Sequence, residues 1–289
     1  STPIKSSAAS DVYKRQALDG KVRVPVSQAG GVWYVNGDDL YGLSDEESTI
    51  TIPVKSDYDY TVDMPVWITG EKVKEGYNFT LAENTTGNAR KGTVIFKSQK
   101  GTKEITFVQF GVNDIAGTYE ATYSTFGEGD DWVSETVKIE LLQDEEDETV
   151  FYANGLSSIR GVVLPLKFDS ETYQLSALNG QYLGFIESQK WYLYTIVRSE
   201  AGYVHADTSL SYPAIAELDV DDEELMPFFP FKDKKGLSFT GETGTIKSFI
   251  DAIGVYVFAS KSPTFGNNNN LGYYDIFKDL SIKKIKADN

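Results

Sequence analysis

The chain has 289 residues, of which 40% are hydrophobic and 13% aromatic, and 27 Lys and Arg against 43 Asp and Glu give a net charge of −16. That charge repels nucleic acids and anionic lipid surfaces, so we expect neither as a partner. The sequence has no cysteine and only one histidine, His205, which excludes disulfides, thiolate ligands and histidine clusters. No apolar run reaches the roughly 18 residues of a membrane-spanning helix. We predict no metal site and no cofactor.

The first sixteen residues differ from the rest of the chain. Asp11–Gln16 (DVYKRQ) resembles the translated end of a transposon-based sequencing adaptor, and alternation of apolar and polar residues begins only at Lys21. We therefore expect residues 1–16 to be a non-native or disordered leader, in which case the native N-terminus is missing with any signal or lipid anchor it carried. The alternative is a Ser- and Ala-rich linker that contains this hexapeptide by chance.

Alternating apolar and polar residues predict β-strands in the first third of the chain. Ile50, Ile52 and Val54 occupy alternate positions, as on one face of a strand. Two β-rich runs, Gly92–Lys97 and Glu104–Phe110, are joined by a short polar connector that contains glycine, which predicts a hairpin. The polar break after the second run predicts a domain boundary between residues 112 and 113.

The remainder of the chain has short strand-like runs about every ten residues. This spacing predicts an all-β fold, with an N-terminal β-sandwich followed by a larger antiparallel β-barrel or barrel-like sandwich. Gln189–Val197 is apolar on both faces, as expected for a barrel wall that is covered on both sides. One of its faces could line a ligand cavity, although core packing alone is favoured. The apolar spacing within Thr245–Ile253 predicts a single helical turn.

Four motifs follow one another within residues 48–111: ITIPVKS (Ile50–Ser56), PVWI (Pro65–Ile68), NTTGNARKGTVIF (Asn84–Phe96) and KEITFVQFG (Lys103–Gly111). In this order they resemble a BACON domain, a small β-sandwich module of surface and secreted Bacteroidetes proteins. The resemblance implies a BACON-like sandwich over residues 17–112. It also implies a carbohydrate-binding or spacer role, because the family accompanies glycan-processing domains.

The motifs IAGTYEATY (Ile115–Tyr123) and LNGQYLG (Leu178–Gly184) are similar to sequences in uncharacterised, lipocalin-like β-domains that follow BACON modules in Bacteroidetes envelope lipoproteins. This similarity implies a lipocalin-like β-barrel over residues 113–289. It further implies a location in the bacterial cell envelope, either periplasmic or on the outer-membrane surface. The lipid anchor would lie on the missing N-terminus.

Aromatic and acidic residues in predicted loops are the candidate ligand-binding residues. The Gly-rich segment Phe126–Trp132 ends in two carboxylates and an indole, which together suit a sugar, because carboxylates accept from hydroxyls and the ring covers C–H faces. The amide-rich segment Gly266–Tyr274 ends in two tyrosines. The alternatives are an ordinary exposed loop and a flexible turn. We predict a ligand site formed by Trp132, Asp130, Asp131, Tyr273 and Tyr274.

No nucleophile elbow, phosphate-binding loop or dinucleotide fingerprint occurs in the sequence, and we predict no catalytic residue. The acidic runs Asp144–Glu148 and Asp219–Glu224 lack the spacing of a calcium loop and predict solvated turns. The favoured function is a non-catalytic cell-envelope protein that binds a glycan or another surface ligand, such as a polysaccharide or glycoprotein. The alternatives are a glycan hydrolase with an Asp/Glu pair and a purely structural spacer or interaction protein.

Overall fold

A computed structural model describes residues 14–17, 20–23, 31–129, 131–221, 224–241, 244–266 and 268–286. These residues form twenty-four β-strands and one short 3-10 helix and contain no α-helix, which confirms the expected all-β fold. None of the described residues belongs to a helix long and apolar enough to cross a membrane. The chain divides into two compact units: unit 1 comprises Ser1–Tyr41, Thr49–Leu81 and Gly92–Thr106, and unit 2 comprises Gly42–Ser48, Ala82–Lys91 and Phe107–Asn289.

Two four-stranded sheets account for most of the strands before residue 110. Their orders are β3-β5-β8-β7 and β4-β10-β9-β6, and β1 and β2 form a separate hairpin. The ring of Phe79 in the first sheet meets the ring of Phe96 in the second edge to face at 5.8 Å, so the sheets pack as a sandwich. The strands are β1 Lys14–Ala17, β2 Gly20–Arg23, β3 Trp33–Val35, β4 Leu40–Leu43, β5 Ser48–Ser56, β6 Tyr60–Asp63, β7 Ile68–Val73, β8 Gly76–Leu81, β9 Arg90–Ser98 and β10 Gly101–Gln109.

Two predictions for this part of the chain are confirmed. Ile52 is buried between exposed neighbours in β5, and β9 and β10 are adjacent strands joined by a short turn. The predicted leader, in contrast, overlaps a strand: Lys14–Gln16 pair with Lys21–Arg23 in the β1–β2 hairpin. Residues 1–13 lie outside the described part of the chain, and the non-native or disordered leader stays a prediction.

Unit 2 is built around one long, strongly bent sheet of order β16-β17-β23-β24-β11-β12-β13-β14-β15-β19. A 3-10 turn at Val112–Asp114 leads into it. The strands are β11 Gly117–Phe126, β12 Trp132–Gln143, β13 Val150–Asn154, β14 Leu164–Asp169, β15 Gln174–Leu178, β16 Tyr182–Ile186, β17 Trp191–Ser199, β18 Val204–His205, β19 Ser211–Ile215, β20 Phe228–Pro230, β21 Leu237–Gly241, β22 Gly244–Ser248, β23 Ile250–Phe258 and β24 Asn270–Lys284.

Strand β20 closes part of this sheet into a barrel. It pairs antiparallel with residues 281–283 of β24. On its other side, Glu217 and Phe228 exchange backbone hydrogen bonds of 2.8 and 3.0 Å, and the Lys232 amide donates to the Pro213 carbonyl at 2.7 Å. Backbone hydrogen bonds thus link strands β11 to β15, β19, β20 and β24 into a circuit. Strands β16, β17 and β23 extend from the N-terminal half of β24.

The barrel core is rich in large aromatic side chains, and the extension packs its inner face against the same core. Phe229 of β20, which is fully buried, lies with ring centroids 6.4 Å from both Tyr119 and Phe110. Val255 and Val257 belong to this core, whereas Tyr256 and Phe258 face the opposite side of β23.

The helical turn expected at Thr245–Ile253 is wrong, because these residues form β22, a one-residue break at Phe249 and the start of β23. All nine residues of β23 are buried. Its apolar residues therefore fill both faces, and a short run of this kind also fits helical spacing.

Buried polar side chains tie the start of the barrel to its last strand. The ammonium group of Lys284, which is 6% exposed, donates to the carbonyls of Gly87 at 2.9 Å and Asp114 at 2.7 Å. The carboxylate of Asp114 accepts from the Gly111 amide at 3.0 Å. Burial raises the pKa of Asp114 to about 6, and burial lowers the pKa of Lys284.

This raised pKa predicts that Asp114 makes the folded chain more stable in mild acid. The folded state binds a proton from about pH 6 downward, whereas the unfolded carboxyl, with its ordinary pKa of 3.8, does not until lower pH. Relative to Asp114→Asn, the wild type should gain about 2 kcal/mol of unfolding free energy between pH 7.5 and pH 4.5. Urea titrations of both proteins across this range measure the difference. Parallel pH profiles for the two proteins would contradict the prediction.

Candidate ligand-binding site

Trp132 lies at the end of a strand pair rather than in a loop. It is the first residue of β12 and pairs with Phe126, the last residue of β11. The two ring centroids are 4.8 Å apart, and the Trp132 side chain is half-buried while Phe126 is exposed. Asp131 is exposed in the connecting turn, where its carbonyl accepts from the Gly127 amide at 2.9 Å. Asp130 lies outside the described residues.

Two cations from distant strands contact the indole of Trp132. The guanidinium carbon of Arg198 lies 5.3 Å from the ring centroid and the ammonium of Lys278 lies 5.5 Å from it. Arg198 also donates to the buried carboxylate of Asp251 at 2.7 Å. Burial raises the pKa of Asp251, and Arg198 opposes that rise. The indole is therefore a packed element that holds charged side chains, not an isolated aromatic platform.

The two predicted tyrosines of β24 lie on different faces of the sheet. The hydroxyl of Tyr273 donates to the carbonyl of Ile196 at 3.4 Å, and its ring packs edge to face on Tyr256 at 4.8 Å. Tyr274 is 48% exposed and contacts Trp191, on the barrel-core side, at 6.2 Å. Tyr273 and Tyr274 therefore do not face one common site, and both lie in a strand rather than in a loop. The run of asparagines before them concealed the start of β24.

The outer side of the extension carries a continuous group of aromatic rings, which we call the aromatic face. Cross-strand neighbours stack along it: Phe185 on Tyr192 at 4.5 Å and Tyr182 on Tyr194 at 5.3 Å. Burial raises the pKa of the Tyr273 phenol, which lies at the β24 border of this face. The members are Tyr182 and Phe185 of β16, Tyr192 and Tyr194 of β17, Tyr256 and Phe258 of β23, Phe265 of the segment between β23 and β24, and Tyr273 of β24.

The segment between β23 and β24 covers the centre of the aromatic face. The hydroxyl of Tyr194 donates to the carbonyl of Lys261, and Phe265 packs against Phe258 at 5.4 Å. Asn269 braces the segment internally through hydrogen bonds to the carbonyls of Ser262 and Thr264. The centre of β17 is therefore buried on both faces, as the sequence predicted for Gln189–Val197.

The border of the aromatic face stays open to solvent. Tyr182 is 49%, Phe185 37% and Phe265 38% exposed. Tyr182 and Phe185 pack on Tyr194 and Tyr192 of the next strand, but the β16–β17 pairing that brings them together was not predicted from the sequence. The alternation of Tyr192 and Tyr194 within an otherwise apolar strand was the available indication of an aromatic outer surface.

In each of two clefts of unit 2, one lining carboxylate makes structural contacts. In a cleft of about 970 Å³ beside Lys284, Glu224 pairs with Lys286. In a cleft of about 660 Å³ beside β19, Asp233 accepts three backbone hydrogen bonds. Across the described ranges, no group of three or more His, Asp or Glu side chains is placed to hold a metal ion.

No family model matches the chain, and no curated protein matches it. A Bacteroides ovatus GH5 xyloglucanase, solved in complex with a XXXG heptasaccharide, is similar to 27% of this chain at 19% identity and a TM-score of 0.25, and the match spans 18% of the xyloglucanase. A Bacteroides ovatus protein of unknown function is similar over 83% of this chain and 97% of its own at 8% identity and a TM-score of 0.28. At these TM-scores neither likeness supports a conclusion about function, and the BACON resemblance of residues 48–111 stays an expectation.

Proposed function

We propose that the protein is a non-catalytic binding protein whose aromatic face holds a glycan. The observation that carries this proposal is the open border of the aromatic face, where Tyr182 and Phe185 expose much of their rings on a rigid, hydrogen-bonded sheet. Single exposed aromatic side chains are common on protein surfaces. A contiguous group of them leaves a larger apolar area in contact with water, and such patches mark binding sites.

A sugar suits this surface better than a large apolar partner does. The C–H face of a pyranose packs on an aromatic ring, while the phenol hydroxyls of Tyr182 and Tyr192 can exchange hydrogen bonds with sugar hydroxyls. Because the rings are braced by cross-strand stacking, little conformational entropy is lost on binding. The members of the face are tyrosine and phenylalanine, and the one cation placed over Phe185, the Lys190 ammonium at 5.8 Å from the ring centroid, is paired with Glu187. A neutral sugar is therefore the expected ligand.

The remaining features of the proposal come from sequence resemblance. We assign the BACON-like module a role as a second binding unit or as a spacer. We place the protein in the bacterial cell envelope, in the periplasm or on the outer-membrane surface. A glycan hydrolase is the second candidate, and a purely structural spacer is the third. In the clefts, the carboxylate of Asp233 accepts backbone hydrogen bonds and that of Glu224 pairs with Lys286. These contacts favour a binding protein over a hydrolase.

A glycan array with the whole chain tests the proposal. The double variant Tyr182→Ser/Phe185→Ser should lose at least about 10-fold in affinity for the sugars that the wild type binds, since each lost ring removes about 1–2 kcal/mol of apolar contact. The matched control is Tyr203→Ser, which removes an aromatic ring that is 51% exposed in unit 2 and does not belong to the aromatic face. Retained binding by the double variant would rule out the aromatic face as the site.

A further inference from the structure

A second surface of unit 2, the cleft of about 660 Å³ beside β19, has a chemistry that the aromatic face lacks. One wall carries Lys232, Lys234 and Lys235, all exposed, from the segment that follows β20. Gln174 and Ser211 of the facing strands supply polar groups on the other wall. A cleft of this volume is large enough for a ligand of one to three sugar rings.

The lysine segment is held in a fixed conformation. The carboxylate of Asp233 is buried and accepts from the amides of Lys235 at 2.8 Å, Gly236 at 3.0 Å and Ile250 at 3.0 Å. Gly236 has a φ of +72°, which lets the chain turn back toward β21. The backbone that presents the lysines is therefore preorganised, and three amide donors already compensate the negative charge of Asp233.

The three lysines have no ion-pair partner among the residues that the structure describes, although cations elsewhere in unit 2 are paired, as Arg198 is with Asp251. Glu217 is the one other carboxylate in the lining. In a chain with a net charge of −16, the three ammonium groups of this lining outnumber its two carboxylates, Asp233 and Glu217, so the local balance of charge is positive.

We propose that this lysine cleft binds an acidic sugar through its carboxylate or sulfate group. Lysine ammonium groups attract either anion, and Gln174 and Ser211 offer hydrogen bonds to the neighbouring hydroxyls. That the ligand is a carbohydrate rests on the proposed function, whereas its negative charge follows from the cleft alone. The aromatic face and the lysine cleft then recognise different parts or classes of glycan.

Calorimetric titration of the whole chain tests this proposal with three probes of equal length: an oligogalacturonate, its methyl ester, and a sulfated galactan oligosaccharide. The oligogalacturonate or the sulfated probe should bind, and the neutral ester should bind at least about 10-fold more weakly. Binding should weaken when salt rises from about 20 mM to about 300 mM, because exposed charges are screened. Comparison of the two anionic probes separates carboxylate from sulfate recognition.

The decisive variant is Lys232→Gln/Lys234→Gln/Lys235→Gln, which should lose at least about 10-fold in affinity for the anionic probe. The control Lys55→Gln/Lys74→Gln/Lys100→Gln removes the same charge from exposed positions elsewhere and should bind as the wild type does. Equal loss in both triple variants, or no binding of either anionic probe, would overturn the inference.

The same titrations separate this inference from the proposed function. A chain that binds neutral sugars through Tyr182 and Phe185 but no acidic sugar overturns the lysine cleft alone. A chain that binds acidic sugars through the three lysines, with no effect of Tyr182→Ser/Phe185→Ser on any sugar, supports the cleft and overturns the role of the aromatic face.

Discussion

Replacement of Phe229 by alanine is expected to lower the free energy of unfolding of unit 2 by about 3–5 kcal/mol. The Phe229 side chain is fully buried and touches the rings of both Tyr119 and Phe110. It also lies on β20, whose hydrogen bonds to β24 close the barrel. Truncation loses the free energy gained by burying the ring. It also leaves a cavity, which the strands around it cannot easily move in to fill.

Urea unfolding followed by near-ultraviolet circular dichroism measures this effect. Phe126→Ala is the matched control, because that ring is 53% exposed at the end of β11, and its loss should cost less than about 1 kcal/mol. A loss of less than 1 kcal/mol for Phe229→Ala would show that β20 does not close a packed barrel.

Replacement of Lys284 by methionine is expected to cost about 2–3 kcal/mol. The variant keeps most of the buried stem but removes the ammonium group that donates to the carbonyls of Gly87 and Asp114. Both acceptors then lose a charged donor in a buried setting, where an unsatisfied polar group is costly. The residues 82–91 and 107–116 would lose a connection to the last barrel strand.

Lys283→Met provides the comparison, since Lys283 is the exposed neighbour of Lys284 in the same strand. It should change the free energy of unfolding, measured by urea titration, by less than about 0.5 kcal/mol. If the two variants are equally stable, the hydrogen bonds of Lys284 do not anchor this part of unit 2.

The strand content followed from period-two alternation wherever one face of a strand is buried. The β5 strand and the β9–β10 hairpin were predictable on this basis, whereas the covered strand β17 was predictable from apolar residues on both of its faces. Strand β20 was not predictable, because Phe228 and Phe229 are adjacent and Pro230 follows them, so the strand shows no alternation of apolar and polar residues. Its role depends on hydrogen bonds to strands that lie far away in sequence.

The candidate site was less predictable than the fold, because it depends on side chains brought together by tertiary structure. Trp132 is an aromatic residue at the end of a Gly-rich segment, but nothing near it in sequence indicates Arg198 or Lys278. Similarly, Tyr273 and Tyr274 are adjacent in sequence and separated by the sheet, since consecutive strand residues face opposite sides.

The most direct test of the central claim is a crystal structure of the whole chain with the strongest neutral sugar found on the array. We predict that a pyranose ring stacks on Tyr182 or Phe185 at the open border of the aromatic face, with its hydroxyls within hydrogen-bond distance of the tyrosine phenols. A sugar bound in unit 1 or at any other surface of unit 2, with Tyr182 and Phe185 left uncovered, would contradict the account.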